Sequence, residues 1–271
     1  NEYRTFKQWA ASWSQQRGIT IPLPDQLKAS KEKSTRYRLV NKWIVDDGFA
    51  QTVYLEIVSR QQKQILSGDL LAIRPKPTAE PRYYSVGKLA NGNLFLAVKK
   101  HPYGQVSTQL YQLSAGSYFK GVHRISKHFH FPHEAPKVIM IANGTGIGPF
   151  IGMLHDDTSS TPRRLLWGVR NQASLDPVAD IFDTAQNSGS LSQLSLAFSR
   201  EESKYRYVQD IITAQAIEFA RELAAGAVVM ICGSLAMQKG VFAALEEALK
   251  QLDNGTLAYY QDTGQVLTDC Y

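Results

Sequence analysis

Val138-Ile139-Met140-Ile141-Ala142-Asn143 runs without a break into Gly144-Thr145-Gly146-Ile147-Gly148-Pro149-Phe150. The first six residues read as a buried strand, and an apolar helical pattern resumes at once after the glycines. Glycines at a strand-to-helix turn let backbone N–H groups approach a pyrophosphate, and the start of the helix adds a partial positive charge. The ligand implied at Gly144, Thr145 and Gly146 is a dinucleotide. The same glycines also suit a tight turn with no ligand, and their spacing is not the G-x-G-x-x-G of ordinary dehydrogenases.

Toward the C-terminus, apolar runs at 165–169, 194–198 and 227–232 read as further strands, with helical patterns around Asp180, Ile212 and Leu245 between them. This alternation predicts an α/β domain with a parallel sheet. Toward the N-terminus the pattern changes character at Pro132 to Pro136. Before it, residues 52–58 put Val53, Leu55 and Ile57 on one face, and a strand at 94–99 follows an Asn91-Gly92 turn signal. Such short alternating runs predict an antiparallel β-barrel. The expected organisation is a segment or linker at 1–34, a barrel at 35–133 and the α/β domain at 134–271. Within the first segment Tyr3, Phe6, Trp9 and Trp13 fall at helical spacing, which suits packing on the protein's own body or a docking helix continued from an upstream domain. The first residue, Asn1, points to a piece of something longer.

The 271 residues are enough for two ordinary domains, and no apolar run approaches the length of a membrane span. No signal-peptide pattern opens the chain, so a cytoplasmic site is expected, with a membrane tether in an absent segment left open. Cys232 and Cys270 are the only cysteines, which offers no disulfide framework. The net charge of +6 fits an anionic partner such as a dinucleotide or an acidic electron-transfer protein, and equally a merely soluble surface. Dispersed basic residues and no recognition pattern argue against nucleic acid. His123, His128, His130 and His133 form the densest histidine cluster, with His128 and His130 on one face of an expected strand. A third ligand is lacking, so no metal is expected.

Arg170 and the Ser199-Arg200 pair end successive strands of the α/β half, where open sheets bind their ligands. Lys204, Arg206 and Tyr207 follow closely, and no acidic residue ends the preceding strand. Arginine and serine there favour the ribose phosphate of NADP over the free ribose of NAD. Lys204 and Arg206 also read as ordinary surface charge. In the barrel half, Arg82-Tyr83-Tyr84-Ser85 joins a guanidinium to two aromatic faces; on a strand, Arg82 and Tyr84 share a side suited to a phosphate and a stacked isoalloxazine. Gly104-Gln105-Val106-Ser107-Thr108 reads as a helix start able to receive a second pyrophosphate.

These motifs, in this order from Tyr37 to Tyr271, resemble the ferredoxin-NADP reductase superfamily, most closely the FAD/NADPH-binding reductase half of diflavin proteins of the sulfite reductase flavoprotein type. The resemblance implies that Arg82 to Ser85 and Gly104 to Thr108 bind FAD. It implies that Gly144 to Phe150, Gly168 to Arg170, Ser199-Arg200, Tyr207-Val208-Gln209 and Cys232-Gly233 form the NADPH side. It further implies a catalytic group of Ser85, Cys232 and Asp269, with Tyr271 as a terminal aromatic covering the flavin. The implied activity is a flavoprotein reductase that takes hydride from NADPH and passes electrons to an acceptor protein or FMN domain. A free-standing ferredoxin or flavodoxin reductase and a non-catalytic nucleotide-sensing subunit are the rivals. The chain departs from the family at Tyr205, where a lysine is usual, and at Ser234, where an acidic residue follows Cys-Gly. It also lacks a long insertion before Arg82, and no FMN domain lies within these residues.

Overall fold

A computed structural model describes residues 34–60, 62–155, 160–253 and 255–271, so the aromatic spacing at Tyr3 to Trp13 lies outside the described residues. Ser34–Tyr271 forms one compact unit. It holds two sheets. Strands β1 (Thr35–Asp46), β2 (Gln51–Val58), β3 (Leu70–Ile73), β4 (Arg82–Ser85), β5 (Gly87–Lys88), β6 (Leu94–Lys99) and β7 (Tyr118–Arg124) build an antiparallel sheet in the order β4-β3-β7-β1-β2-β6-β5. Its two edges, β4 and β5, are separated in sequence only by Val86, so the sheet curls into a nearly closed barrel. Helix α1 (Gln105–Gln112) plugs it, burying Val106 and Leu110 among Leu39, Leu55 and Leu96.

Strands β8 (Val138–Asn143), β9 (Arg163–Val169), β10 (Leu191–Phe198), β11 (Val228–Gly233) and β12 (Val266–Cys270) form a parallel sheet in the order β10-β9-β8-β11-β12. Helices α2 (Gly148–Leu154) and α3 (Ala179–Asn187) cover one face, and α4 (Val208–Ala214), α5 (Ala216–Ala224), α6 (Leu235–Gln251) and α7 (Leu257–Asp262) the other. A sheet covered on both faces has strands that are apolar throughout, which is why β8 and β11 are buried almost end to end. The order reverses between β8 and β11, and a crevice opens at the carboxyl ends of strands on either side of such a reversal.

Strand β2 shows how the halves join. Val53, Leu55 and Ile57 face the barrel interior, as their alternation predicts, but Tyr54 on the opposite face is only 2% exposed. Tyr54, Phe95 and Ala97 pack outward into the same core as Phe129 of the connecting segment and Ile147 and Phe150 of the α/β half. The barrel wall is therefore sealed on both sides, and one continuous apolar core crosses between the sheets.

One expectation fails. Residues 125–137 form no strand, and His128 is exposed there. Pro132 and Pro136 remove two backbone donors, and the Ser126 N–H and the His130 ring turn to Asp69 instead of a ladder. The Asp69 carboxylate, 1% exposed, accepts the backbone N–H of Leu66 and Ser126 and takes hydrogen bonds from His123 at 2.7 Å and His130 at 2.8 Å. Burial pushes this carboxyl up, but these bonds outweigh it and hold it below its usual range. Two of the clustered histidines thus clasp the connecting segment to the barrel. Among the described residues no group of three histidine, cysteine or acidic side chains is placed to hold a metal, and no helix is long and apolar enough to cross a membrane.

The halves meet by bare backbone at β5 and α2. A Cβ added to Gly152 would lie 2.1 Å from the Lys88 nitrogen and 2.3 Å from the Ser67 oxygen. Gly152→Ala is expected to force this seam apart and cost about 1–3 kcal/mol, as overpacking does. Thermal unfolding reads the loss; an unchanged midpoint would mean that the seam has room to spare.

Candidate functional site

The turn Gly144–Ile147 follows β8, at the point where the strand order reverses. Its glycines divide the labour differently from the sequence expectation. A Cβ on Gly146 would lie 2.0 Å from the Cys232 carbonyl oxygen, and one on Gly148 would lie 3.2 Å from the Ser85 carbonyl oxygen. These two serve close packing against β11 and the barrel. Gly144 alone, at φ +50° with open space around its missing side chain, keeps the turn approachable. The indole N–H of Trp167 donates to the Gly144 carbonyl at 3.0 Å and fixes the turn from beneath.

Two residues that sequence reasoning missed lock the crevice floor. Asn143 accepts the Ser234 backbone N–H at 2.9 Å and donates to the Ser234 hydroxyl at 3.1 Å, tying the end of β8 to the end of β11. Ser234 also accepts from Met237 N as the N-cap of α6. The signal was legible: a serine directly after a strand and before an apolar helical run is a cap.

The crevice holds about 480 Å³ between the sheets. Thr145, Arg170, Ser199, Arg206, Tyr207 and Gln209 line it from the α/β half, and Asp47, Thr52, Tyr54 and Lys99 from the barrel. The barrel wall was not anticipated, because a wall contributed by a distant hairpin carries no local motif. Arg206 reaches the crevice, whereas Lys204 lies over the Tyr205 ring at 5.1 Å and is not part of the lining. Arg200 likewise turns aside, its guanidinium 5.2 Å from the Phe49 ring. Arg170 is in the crevice but already paired, 2.9 Å from Asp47.

A second grouping crosses the halves. Ser85 donates its hydroxyl to Asp269 at 2.5 Å, over 184 residues of sequence, and the Cys232 thiol lies 3.9 Å from the same carboxylate oxygen. Register explains the meeting: Cys232 and Asp269 are direct partners on β11 and β12. Burial raises the Asp269 carboxyl, and the bonds from Ser85 and Cys232 offset only part of that. Burial first, then the neighbouring Asp269 charge, pushes the Cys232 thiol well up, so it stays protonated at neutral pH. It is no thiolate nucleophile.

Tyr271 is not a frayed end. Its N–H donates to Gly233 at 3.0 Å, its carbonyl accepts from Leu235 at 3.3 Å, and its hydroxyl meets that of Thr145 at 3.2 Å. The residue as a whole is exposed, and its phenol adds to the burial that pushes the Tyr84 phenol up. Arg82 and Tyr83 are exposed on the edge strand β4 beside Tyr84. The first turn of α1 has no side-chain cap: Gly104 has no side chain, and Thr108 N returns to its carbonyl. The Gln105 and Ser107 amides therefore start the helix uncapped. The Ser107 hydroxyl is committed within the loop to His101 N and the Gly104 carbonyl, and Val106 is buried, so neither side chain is free for a ligand.

Residues 140–242 match the family model of the oxidoreductase NAD-binding domain. The chain is 26% identical to an NADPH–cytochrome P450 reductase of Salmo trutta over 231 residues, covering 76% of this chain and 37% of that protein. It is 34% identical to the sulfite reductase [NADPH] flavoprotein alpha-component of Thiocapsa roseopersicina over 113 residues, 41% of this chain and 22% of that protein. The chain thus spans well under half the length of these curated relatives. The fold of the ferredoxin-NADP+ reductase of Plasmodium falciparum superposes with a TM-score of 0.70 at 22% identity, covering 90% of this chain and 98% of that one. The α/β half thus matches a nucleotide-binding oxidoreductase domain, and barrel and parallel sheet together have the fold of that ferredoxin-NADP+ reductase.

Proposed function

We propose that this chain is an FAD-dependent, NADPH-using reductase that accepts a hydride from NADPH and delivers electrons to a separate acceptor such as a flavodoxin-like FMN domain. The observation that carries the proposal is the Ser85, Asp269 and Cys232 grouping, assembled from both halves beside Tyr84 and Tyr271. FAD suits the residues present. Arg82 offers an exposed guanidinium for a phosphate, Tyr84 a ring for stacking, and the start of α1 uncapped amides for a pyrophosphate. When bound, FAD supplies the hydride-accepting and electron-releasing chemistry. NADPH suits the crevice, where Ser199, Arg206 and Tyr207 gather polar and cationic groups for a ribose phosphate.

The chain's own work is to position and to polarise. Ser85 donates its proton to Asp269, which leaves its oxygen lone pairs free to accept from a substrate amide. The Asp269 carboxylate favours the positive charge that develops on a nicotinamide ring as hydride leaves. Cys232 stays neutral and fills the space beside it. Tyr271, anchored by its backbone, keeps water from the reacting face and gives way to the nicotinamide.

The purified protein should be yellow or reconstitute with FAD, and it should bleach anaerobically on NADPH addition. A colourless protein that takes up no FAD would end the proposal. Tyr271→Ala should ease nicotinamide entry by up to about tenfold, since stacking is worth about 0.5–1.5 kcal/mol. The NADPH-to-NADH ratio of kcat/KM should then fall, and a ratio and flavin spectrum both unchanged would remove the tyrosine from the site. Asp269 is raised by folding, so it stabilises the fold below its unfolded value and loses that stabilisation as pH rises through its folded value. Asp269→Asn, which keeps an acceptor for Ser85, should therefore gain thermal stability over the parent at neutral pH while losing turnover. The gap should close as pH drops through the carboxylate range; a gap constant with pH would show that Asp269 is not displaced.

A further inference from the structure

The tip of the β1–β2 hairpin belongs to the barrel yet stands in the nucleotide crevice. Asp47 at this tip is 9% exposed, and its carboxylate is held by three separate donors. The backbone N–H groups of Phe49 and Ala50 donate to Oδ1 at 2.9 and 2.8 Å, closing the turn. Arg170 Nη1 donates to both carboxylate oxygens, at 3.1 and 2.9 Å, and Asn171 Nδ2 donates to the Asp47 carbonyl at 2.9 Å. The Phe49 ring completes the contact, 6.0 Å from the Arg170 guanidinium. Two consecutive residues at the end of β9 are thus gripped by a loop whose sequence neighbours lie in the other sheet.

This pairing is chemically odd for an anion site. Arg170 lines the same crevice as Gly144 and Thr145, where a dinucleotide would lay its phosphates, yet a buried carboxylate already answers its charge. Only Nη1 is taken. The remaining guanidinium donors stay available, with their attraction for an anion reduced by the nearby negative charge.

We propose that Asp47 is an affinity-setting residue of the nucleotide crevice, a counter-charge supplied by the barrel that orients Arg170 and weakens its hold on nucleotide phosphates so that spent nucleotide leaves readily. The inference rests on the crevice being the NADPH site. It gives the hairpin tip a function that its distance in sequence from every nucleotide motif conceals.

The test is calorimetric binding of NADP+ to the FAD-loaded protein. Asp47→Asn keeps an oxygen for the Phe49 and Ala50 amides but removes the charge, so NADP+ should bind about three- to tenfold more tightly. Asp47→Ser, which also keeps a turn acceptor, should shift affinity in the same direction. Damage to the hairpin would weaken binding, so the sign separates charge tempering from a structural role. Arg170→Ala should weaken binding, and Asp47→Asn added to it should bring no gain, because the carboxylate then has no guanidinium to temper. Unchanged or weaker binding by both Asp47 variants, or a gain that survives in the Arg170→Ala background, would overturn the inference while leaving the reductase reading intact. Failure of the parent protein to bind NADP+ at all would overturn that reading and this inference together.

Discussion

Backbone meets backbone at one seam of this molecule, where Gly87 at the rim of the barrel approaches Gly148 and Gly152 on the first helix of the α/β half. A side chain on Gly87 would come within 2.4 Å of the Gly148 carbonyl oxygen and 2.9 Å of the Gly152 nitrogen. No other residue type fits, because the smallest side-chain carbon already overlaps its neighbour. The seam sets the distance between Ser85, two residues before Gly87, and Asp269, which hangs from the far edge of the parallel sheet. A hydrogen bond of 2.5 Å between residues from opposite halves tolerates no slack, so the chemistry of the site is inherited from the packing of three glycines.

The same constraint explains why two glycines of the turn after β8 serve packing. Gly146 and Gly148 satisfy contacts with Cys232 and Ser85, and Gly144 faces open space. Close packing at two positions and open space at one produce a string that reads, in sequence, as a single phosphate cradle. The division becomes visible only when the neighbours of each residue are known.

Much of the fold was legible because it rests on local pattern. Period-two alternation at Val53, Leu55 and Ile57 reports one wall of a barrel, and uninterrupted apolar runs at Val138 and Val228 report strands covered on both faces. Strand β4 coincides with Arg82 to Ser85, and β6 with residues 94–99. What the pattern hides is everything decided by a distant partner. Tyr54 reads as the solvent side of a strand and is buried because another domain lies there. The segment around His128 reads as a strand and is irregular because Asp69, far upstream, claims its polar groups. In the candidate site, Ser85, Asp269 and Tyr271 stand out by resemblance, whereas Asp47 and Asn143 have no motif and are placed only by tertiary structure. Arg200 and Lys204 look like phosphate ligands in sequence; in the structure their cationic groups lie 5.2 and 5.1 Å from the Phe49 and Tyr205 rings.

The core that runs through the barrel wall has a mechanical consequence. Tyr54 and Phe95 stack at 5.7 Å on the outer face of the barrel, and both are buried by residues of the α/β half. Severing the chain near residue 134 would strand these rings and the apolar faces of Ile147 and Phe150 in water at once, with about 25 cal/mol lost for each Å² of apolar surface uncovered. Each half also has an inner cluster of its own, but the layer between them is shared. The shared layer couples the stability of the two halves, and flexing between them is confined to movements small enough to leave that layer dry.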